Sequence, residues 1–455
     1  YFRANAYDAY VSDDWRFRSG LTLSLGMRWE YNSPISEIYG RLVNLAIGPS
    51  YSTATPIVAR TTSGPLLQPD KNNLAPRLGF AWRPIAASSM IVRGGYGIYY
   101  DTSVYQSIAN QMAQQAPLST SLRVSNSTAN PLTLANGFRG SPNIISTTFA
   151  IDPRFRIGYA QNWQLSVQRD LPYALQMVVT YLGIKGTRAV QQVLPNTFPN
   201  GATGPCPSCP SGYSYLTSNG NSSRQAGTVQ IRRRLRRGFT SELQYTYSKS
   251  IDNAALGGAG FLIAQNWLDL HAERARSNFD QRHVVSLQTQ YTTGATTGVG
   301  FLSTGRSGAV LREWTFATQI NFATGLPLTP TYISSTPRTG VTSNLRPNYV
   351  GGDIYAARPG FFLNPAAYAV PALGQWGNAG RNTITGPRQF SFNASAGRTF
   401  RWGDRLNADV RVDATNVLNH PVFPSWNTVI SSAQFGAPNP AGQMRTVQTS
   451  LRVRF

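Results

Sequence analysis

Leu21-Thr-Leu-Ser-Leu-Gly-Met-Arg-Trp-Glu30 alternates without a break. Leu21, Leu23, Leu25, Met27 and Trp29 fall on one side of an extended chain. Thr22, Ser24, Gly26, Arg28 and Glu30 fall on the other. Successive side chains of a β-strand point to opposite faces, so this period of two predicts a strand with one apolar and one polar face. The same alternation recurs at Trp163/Leu165/Val167, Leu175/Met177/Val179/Tyr181, Leu243/Tyr245/Tyr247, Val285/Leu287, Trp314/Phe316/Ile320/Phe322 and Leu406/Ala408/Val410/Val412. Strands are predicted at about 6–17, 20–31, 73–83, 89–100, 158–169, 173–183, 225–236, 239–250, 279–292, 313–324, 389–401, 405–418 and 444–455. No segment reads as a helix. The predicted class is all-β and antiparallel.

The connections decide which all-β architecture is expected. Short turns fall at Arg18-Ser19-Gly20, around Pro84 to Ser88, at Asp170-Leu171-Pro172, at Arg237-Gly238 and at Gly403-Asp404. Long irregular stretches fall between those hairpins, at about 32–70, 101–157, 185–224, 252–277, 326–387 and 419–442. Loops of this length are uncommon within compact soluble domains. Alternation of short turn with long loop is the pattern of a transmembrane β-barrel, with short periplasmic turns and long extracellular loops. Residues 294–312 make one longer joint, assigned to the periplasmic side by parity. Each predicted strand is long enough to cross a bilayer at a tilt. Aromatics recur near strand ends, among them Trp15, Trp29, Tyr31, Trp82, Tyr99, Tyr181, Tyr247 and Trp402, as membrane-interface girdles require.

Composition agrees with a wall in lipid. Of 455 residues only 13% are charged, about half the roughly 25% of a soluble domain. Hydrophobic residues make up 41% and aromatics 11%, which excludes a disordered polar chain. The longest apolar runs are far shorter than the roughly 18–20 residues of a membrane-spanning helix. Net charge is nevertheless +22, and of 41 basic residues only Lys71, Lys185 and Lys249 are lysine. The first strand has its short turn at its C-terminal end, so it begins outside. A single-chain barrel has an even number of strands, so about 13 strands imply at least one more before residue 1. The sequence also begins Tyr1-Phe2-Arg3 without a signal pattern. Residues 1–455 are therefore expected to be a piece of a longer chain.

Candidate functional residues are few. Ile231-Arg-Arg-Arg-Leu-Arg-Arg237 is basic enough to invite a nucleic-acid reading. On a strand, however, Val229, Ile231 and Leu235 share one face, while Arg232, Arg234 and Arg236 share the other. These three arginines are expected to face the lumen or the interface, and no nucleic-acid partner is expected. Arg233 falls on the apolar face, near enough to the strand end to snorkel. Asp409, Arg411 and Asp413 alternate on the polar face of one strand, and Arg452 and Arg454 on that of the last. These are further lumen-facing candidates, able to pair with one another or guide an anionic solute. Arginine near the outer rim is also suited to lipopolysaccharide phosphates. Cys206 and Cys209, set among Pro, Gly and Ser, read as a local loop disulfide. His271, His283 and His420 lack ligand spacing, and the glycine clusters lack the phosphate-loop Lys-Ser/Thr. No catalytic, cofactor or metal residues are predicted, and no enzyme is expected. The last strand places Val447, Leu451 and Val453 on its apolar face and ends at Phe455. It resembles the signal by which the barrel-assembly machinery recognises its substrates.

Five segments carry a family resemblance. They are Tyr245-Thr-Tyr-Ser-Lys-Ser-Ile-Asp252, Glu273-Arg-Ala-Arg-Ser-Asn-Phe-Asp-Gln-Arg-His283, Asn364-Pro-Ala-Ala-Tyr368, Gly377-Asn-Ala-Gly-Arg-Asn382 with Gly386-Pro387, and Asp413-Ala-Thr-Asn-Val-Leu-Asn-His-Pro421. In this order they resemble the C-terminal barrel of TonB-dependent outer-membrane receptors, in particular the Oar-like branch. The resemblance implies a plug, contact with TonB through that plug, and a 22-stranded barrel of which these 13 strands would be the last. It implies placement in the Gram-negative outer membrane, among lipid and lipopolysaccharide, and uptake or recognition of an unidentified solute. A surface structural or adhesion protein without transport, and a soluble β-rich binding protein, are the competing expectations.

Overall fold

The computed structural model describes residues 1–119, 121–123, 133, 143–145, 149–195, 213–253, 263–293, 313–335, 342–372, 374–402 and 406–455. Thirteen long strands form its wall. They are β1 (Ala6–Arg18), β2 (Leu21–Asn32), β3 (Asn73–Trp82), β4 (Ile91–Tyr100), β5 (Tyr159–Leu171), β6 (Leu175–Val193) and β7 (Ser214–Arg236), followed by β8 (Phe239–Asp252), β9 (His283–Thr292), β10 (Trp314–Ala323), β11 (Gln389–Trp402), β12 (Leu406–Thr415) and β13 (Thr446–Arg454). They pair in chain order, each antiparallel to the next. All thirteen lie where alternation predicts them. Among the described strands β1 pairs only with β2, and β13 only with β12. Both edge strands are exposed along their whole length.

Register turns the alternation of single strands into two continuous faces. Trp82, Val92, Val167, Val179, Val229, Tyr245, Val285, Phe322 and Phe390 are successive Cα partners across nine strands. This row stays partly exposed because nothing in the chain covers it. One layer away on the other face, Gln230, Gln244, Ser286, Asn321 and Ser391 are also successive partners. There Ser286 donates to Asn321 at 2.9 Å and Asn321 to Ser391 at 3.2 Å. Glycines on the apolar face are covered by aromatics of the neighbouring strand. A Cβ on Gly183 would lie 2.2 Å from the Trp163 ring, and one on Gly94 2.2 Å from Phe80. The two-residue turn Arg237-Gly238 has φ of 52° and 74° at its two residues. Two positive φ values are what a two-residue hairpin loop requires.

The buried core lies outside the wall. The largest fully buried apolar side chains (Tyr213, Phe155, Ile108, Met112, Ile151, Ile157, Leu216, Leu363 and Ile384) belong to the long connections and to the far end of β7. Within the membrane-crossing lengths the buried apolar residues are small, such as Ala75, Ala226 and Ala408. A sheet with lipid on one face and a polar lumen on the other has no side that packs on itself.

Two expectations are corrected. The connection 101–157 holds an α-helix, α1 (Val104–Ala113), where none was expected. Its buried face is Val104, Tyr105, Ile108, Ala109 and Met112, spaced at one and two helical turns. In addition, 185–193 and 214–224 are strand rather than loop. Here β6 and β7 extend to 19 and 23 residues and pair as far as Val193 with Tyr215. Both faces of this extension carry Gly, Ser, Thr, Asn and Gln. Its buried residues Val193 and Leu216 pack on the connections, so no single apolar face writes an alternation here. The joints at 294–312 and 403–404 lie outside the described residues.

The faces are directly testable. Val229→Arg puts a charge on the apolar row and is expected to cost about 2–4 kcal/mol. Gln244→Arg, one strand over and on the opposite face, is expected to be tolerated. Urea titration followed by heat-modifiable gel migration measures both, and equal destabilisation would show that the faces are misassigned.

Candidate functional site

Two polar assemblies are built on this wall: a cavity on its polar face, and a layer of buried ion pairs in the connections above it.

The cavity measures about 510 Å³ and spans β7 to β12. Arg232, Glu242, Gln288, Gln319 and Asn393 line it as successive Cα partners, with Asp413 beside them. Alternation places all of these opposite the apolar row. The Gln230 amide donates to Glu242 at 2.7 Å, and Arg232 Nε lies 4.0 Å from the same carboxylate. Arg411 pairs with Asp413 at 2.8 Å. Asp409 accepts from Thr399 Oγ1 at 2.6 Å and from Arg454, while Arg452 is its Cα partner on the adjacent strand. Arg234 donates to Asp170 at 2.9 Å, and Arg236 is exposed at the end of β7. The polar candidates thus form two groups, one around Arg232 and Arg411 in the cavity and one around Asp409 at the short-turn rim. The lining offers amides, carboxylates and guanidinium groups that suit a polar solute or a polar protein surface.

Val447, Leu451 and Val453 are exposed on β13 and are Cα partners of Ala414, Val410 and Ala408, continuing the apolar face. Phe455 is exposed at the end of the chain. Cys206 and Cys209 lie outside the described residues. Tyr99, grouped with the interface aromatics, belongs to the polar face and stacks under Arg77 at 5.0 Å.

The layer above was not anticipated as an assembly. Glu273 is fully buried and receives both Nη atoms of Arg346 at 2.9 Å. Arg346 Nε donates to the Ala379 carbonyl at 3.0 Å. Arg381 donates to the buried Asp252 carboxylate at the end of β8 and, from Nε, to the Glu273 carbonyl at 3.1 Å. Arg276 donates to the carbonyls of Asn382 and Ile384 and to Thr385. Asn382 Nδ2 returns a bond to the Arg276 carbonyl at 2.7 Å. Three of the five resemblance segments meet here: the one ending in Asp252, the one beginning at Glu273, and the one holding Arg381 and Asn382. Their polar residues fasten the connections 252–283 and 326–387 to the top of the wall. Part of the signal was present in the sequence, because Asp269, Glu273, Arg274, Arg276, Asp280 and Arg282 cluster in the connection 252–283 of an otherwise charge-poor chain. Their partners are 73 and 129 residues apart, and no local pattern pairs them. Beside the ion pairs Tyr368 is buried against Phe435, and burial pushes its hydroxyl up to about 12. Burial likewise raises the hydroxyls of Tyr105 and Tyr213 above the ordinary tyrosine range. None of these phenols ionises near neutral pH.

The sequence matches the family model of the outer membrane beta barrel domain over residues 1–448. No curated protein matches it. Among solved structures it is similar to the outer membrane transporter YddB from Escherichia coli, with a TM-score of 0.55 at 11% identity, covering 99% of this chain and 45% of that one. The siderophore receptor PiuA from Acinetobacter baumannii gives a TM-score of 0.49 at 10% identity, covering 100% and 43%. The ferripyoverdine receptor of the outer membrane of Pseudomonas aeruginosa gives 0.49 at 12%, covering 100% and 39%. At these identities the likeness is one of fold. The chain spans less than half the length of each.

Removing one partner of a buried ion pair leaves the other charged and unpaired, typically at about 3–5 kcal/mol. Glu273→Ala is therefore expected to loosen the layer severely, whereas Glu273→Leu with Arg346→Met is expected to recover most of the loss. Limited proteolysis of intact cells reads this out as cleavage within 263–282 and 342–372. A double variant no better than the single would show that Glu273 and Arg346 act separately.

Proposed function

The chain belongs to the outer membrane beta barrel domain family, and from that premise we propose that it is the wall of a TonB-dependent, Oar-like receptor that takes up or recognises a solute. The observation that carries this reading is the polar concave face. Arg232, Glu242, Gln288, Gln319 and Asn393 form a continuous hydrogen-bonding surface on the side away from lipid. A plug inside a barrel needs such a surface, and a solute passing it needs the same chemistry. The likeness of fold to the transporter YddB supports the barrel part of the reading.

Residues 1–455 are then the C-terminal part of a barrel of about 22 strands, its plug and earlier strands lying outside this sequence. Free edges at β1 and β13, and coverage of under half of each neighbour, support that reading. An open edge offers unpaired N–H and C=O groups that further strands satisfy. In this reading Val447, Leu451, Val453 and Phe455 present the strand taken up by the assembly machinery. The plug carries the contact with TonB, and lipopolysaccharide surrounds the outer rim. The lining singles out no solute, because it has no metal-ligand set and carries charges of both signs.

A surface structural or adhesion role is the second reading, and the latched layer favours it, since a fixed outer surface suits a partner that is held rather than passed. The two are separated by expressing the protein with its natural upstream sequence and testing retention on the immobilised periplasmic domain of TonB. Retention is expected for a receptor. An outer-membrane protein that is heat-modifiable but not retained would overturn the transport reading and leave adhesion. In the same system deletion of Phe455 is expected to lower the heat-modifiable fraction severalfold.

A further inference from the structure

The charge excess has a location. Every described basic residue in the strand ends joined by short turns is an arginine. The lysines of the wall, Lys185 and Lys249, lie toward the long-loop end, and Lys71 lies in a connection. Most of these arginines point to the lumen or the turn, but Arg169, Arg233 and Arg398 do not, and of these Arg233 and Arg398 stack on rings. On β7 the lipid-facing positions run Val229, Ile231, Arg233, and on β11 they run Phe390, Phe392, Ala394, Ala396, Arg398. The guanidinium of Arg233 lies over Phe239 at 4.8 Å, and that of Arg398 over Phe400 at 4.6 Å. Between them Phe239, Tyr291 and Phe316 are successive Cα partners. Trp314 stacks on Phe316 at 6.2 Å and is the Cα partner of Arg398. The result is an aromatic strip across five strands with an arginine stacked at each end. The pattern recurs at the same rim on β1, where Arg18 lies over Phe17 at 5.5 Å.

We propose that this strip is a binding surface for anionic phospholipid headgroups of the periplasmic leaflet, with Arg233 and Arg398 holding the phosphates. Stacking occupies the face of a guanidinium and keeps its in-plane N–H donors clear of the ring, the geometry that grips phosphate oxygens. Among the described residues no carboxylate lies within ion-pair distance of Arg233, and its buried Nε has no protein partner. A lipid-facing cation at this depth has no bulk water to solvate it, so it needs an anion that the membrane supplies. Anionic lipid satisfies that need, and the aromatic strip between the arginines lies at the level of the glycerol backbone and upper acyl chain. The inference depends on placement in the outer membrane and not on whether a solute is transported.

Native mass spectrometry of the detergent-extracted full-length protein, titrated with phosphatidylglycerol or phosphatidylcholine, tests the proposal. Phosphatidylglycerol is expected to bind in preference. Each basic residue at an anionic lipid surface contributes roughly fivefold in affinity, so R233Q/R398Q is expected to lose about tenfold or more. R358Q serves as the control, because Arg358 makes the same kind of stack, 3.7 Å over Phe361, in the connections at the opposite end. It is expected to leave lipid binding unchanged. Heat-modifiable migration verifies that each variant is folded. Should the glutamine variant fail to fold, R233K/R398K keeps the charge but loses the planar fork and stack, and a several-fold loss is still expected. Equal binding of the two lipids, unchanged phosphatidylglycerol affinity in R233Q/R398Q or R233K/R398K, or displacement of the lipid by equimolar inorganic phosphate would overturn the assignment.

Discussion

A backbone crossing hydrocarbon must satisfy its own N–H and C=O groups, because lipid offers none in return. In this protein the whole wall follows from that constraint. Thirteen strands exchange backbone hydrogen bonds with their neighbours in chain order, short strands of the connections joining only at the far ends of β7 and β8, and every side chain is thereby assigned to one of two faces. With the ladder fixed, a row of valines and aromatics spanning nine strands is stable in lipid although nothing in the protein covers it. The same ladder makes a one-residue slip intolerable, since it would move every arginine and glutamine of the polar face into the bilayer.

Polar side chains are treated differently at each level of the molecule. On the polar face of the wall they bond to neighbours along the rows and remain partly accessible, as Ser286, Asn321 and Ser391 do. Above the wall they are withdrawn from solvent and paired, as Glu273 with Arg346 and Arg381 with Asp252. Buried ion pairs are poor sources of net stability but strong sources of uniqueness, because any misplacement strands a charge. That is what long connections need, since entropy alone would leave them mobile. The apolar clusters around α1 and around Leu363, Tyr368 and Phe435 then supply the hydrophobic term that the wall, lacking a packed interior, cannot.

The large positive charge and the low charge density no longer conflict. Low density belongs to the lipid-facing rows. The excess belongs to the rims, the lumen and the connections, and at the short-turn rim it is arginine throughout. Stacking explains why arginine rather than lysine stands beside Phe239 and Phe400, since a planar guanidinium covers a ring as an ammonium does not.

How much of this was legible followed the range of each interaction. Alternation is a property of a few neighbouring residues, so Leu21 to Trp29, and twelve stretches like it, declared their faces without reference to anything distant. The lengths of the connections gave the sidedness in the same way. The family-like segments at Asp252, Glu273 and Arg381 were visible as words but not as a sentence, because their meaning lies in pairings over about a hundred residues. Helix α1 escaped notice beside so many strands, although Val104, Ile108 and Met112 carry its period. The strand extensions at 185–193 and 214–224 were hidden because no single apolar face marks them. By itself the sequence determined the wall, since solvent on one face and lipid on the other is a local demand on each residue. Only the tertiary structure decided which charges meet, which arginines stack and where the core lies, because those depend on the distances that the strand ladder brings to a few ångströms.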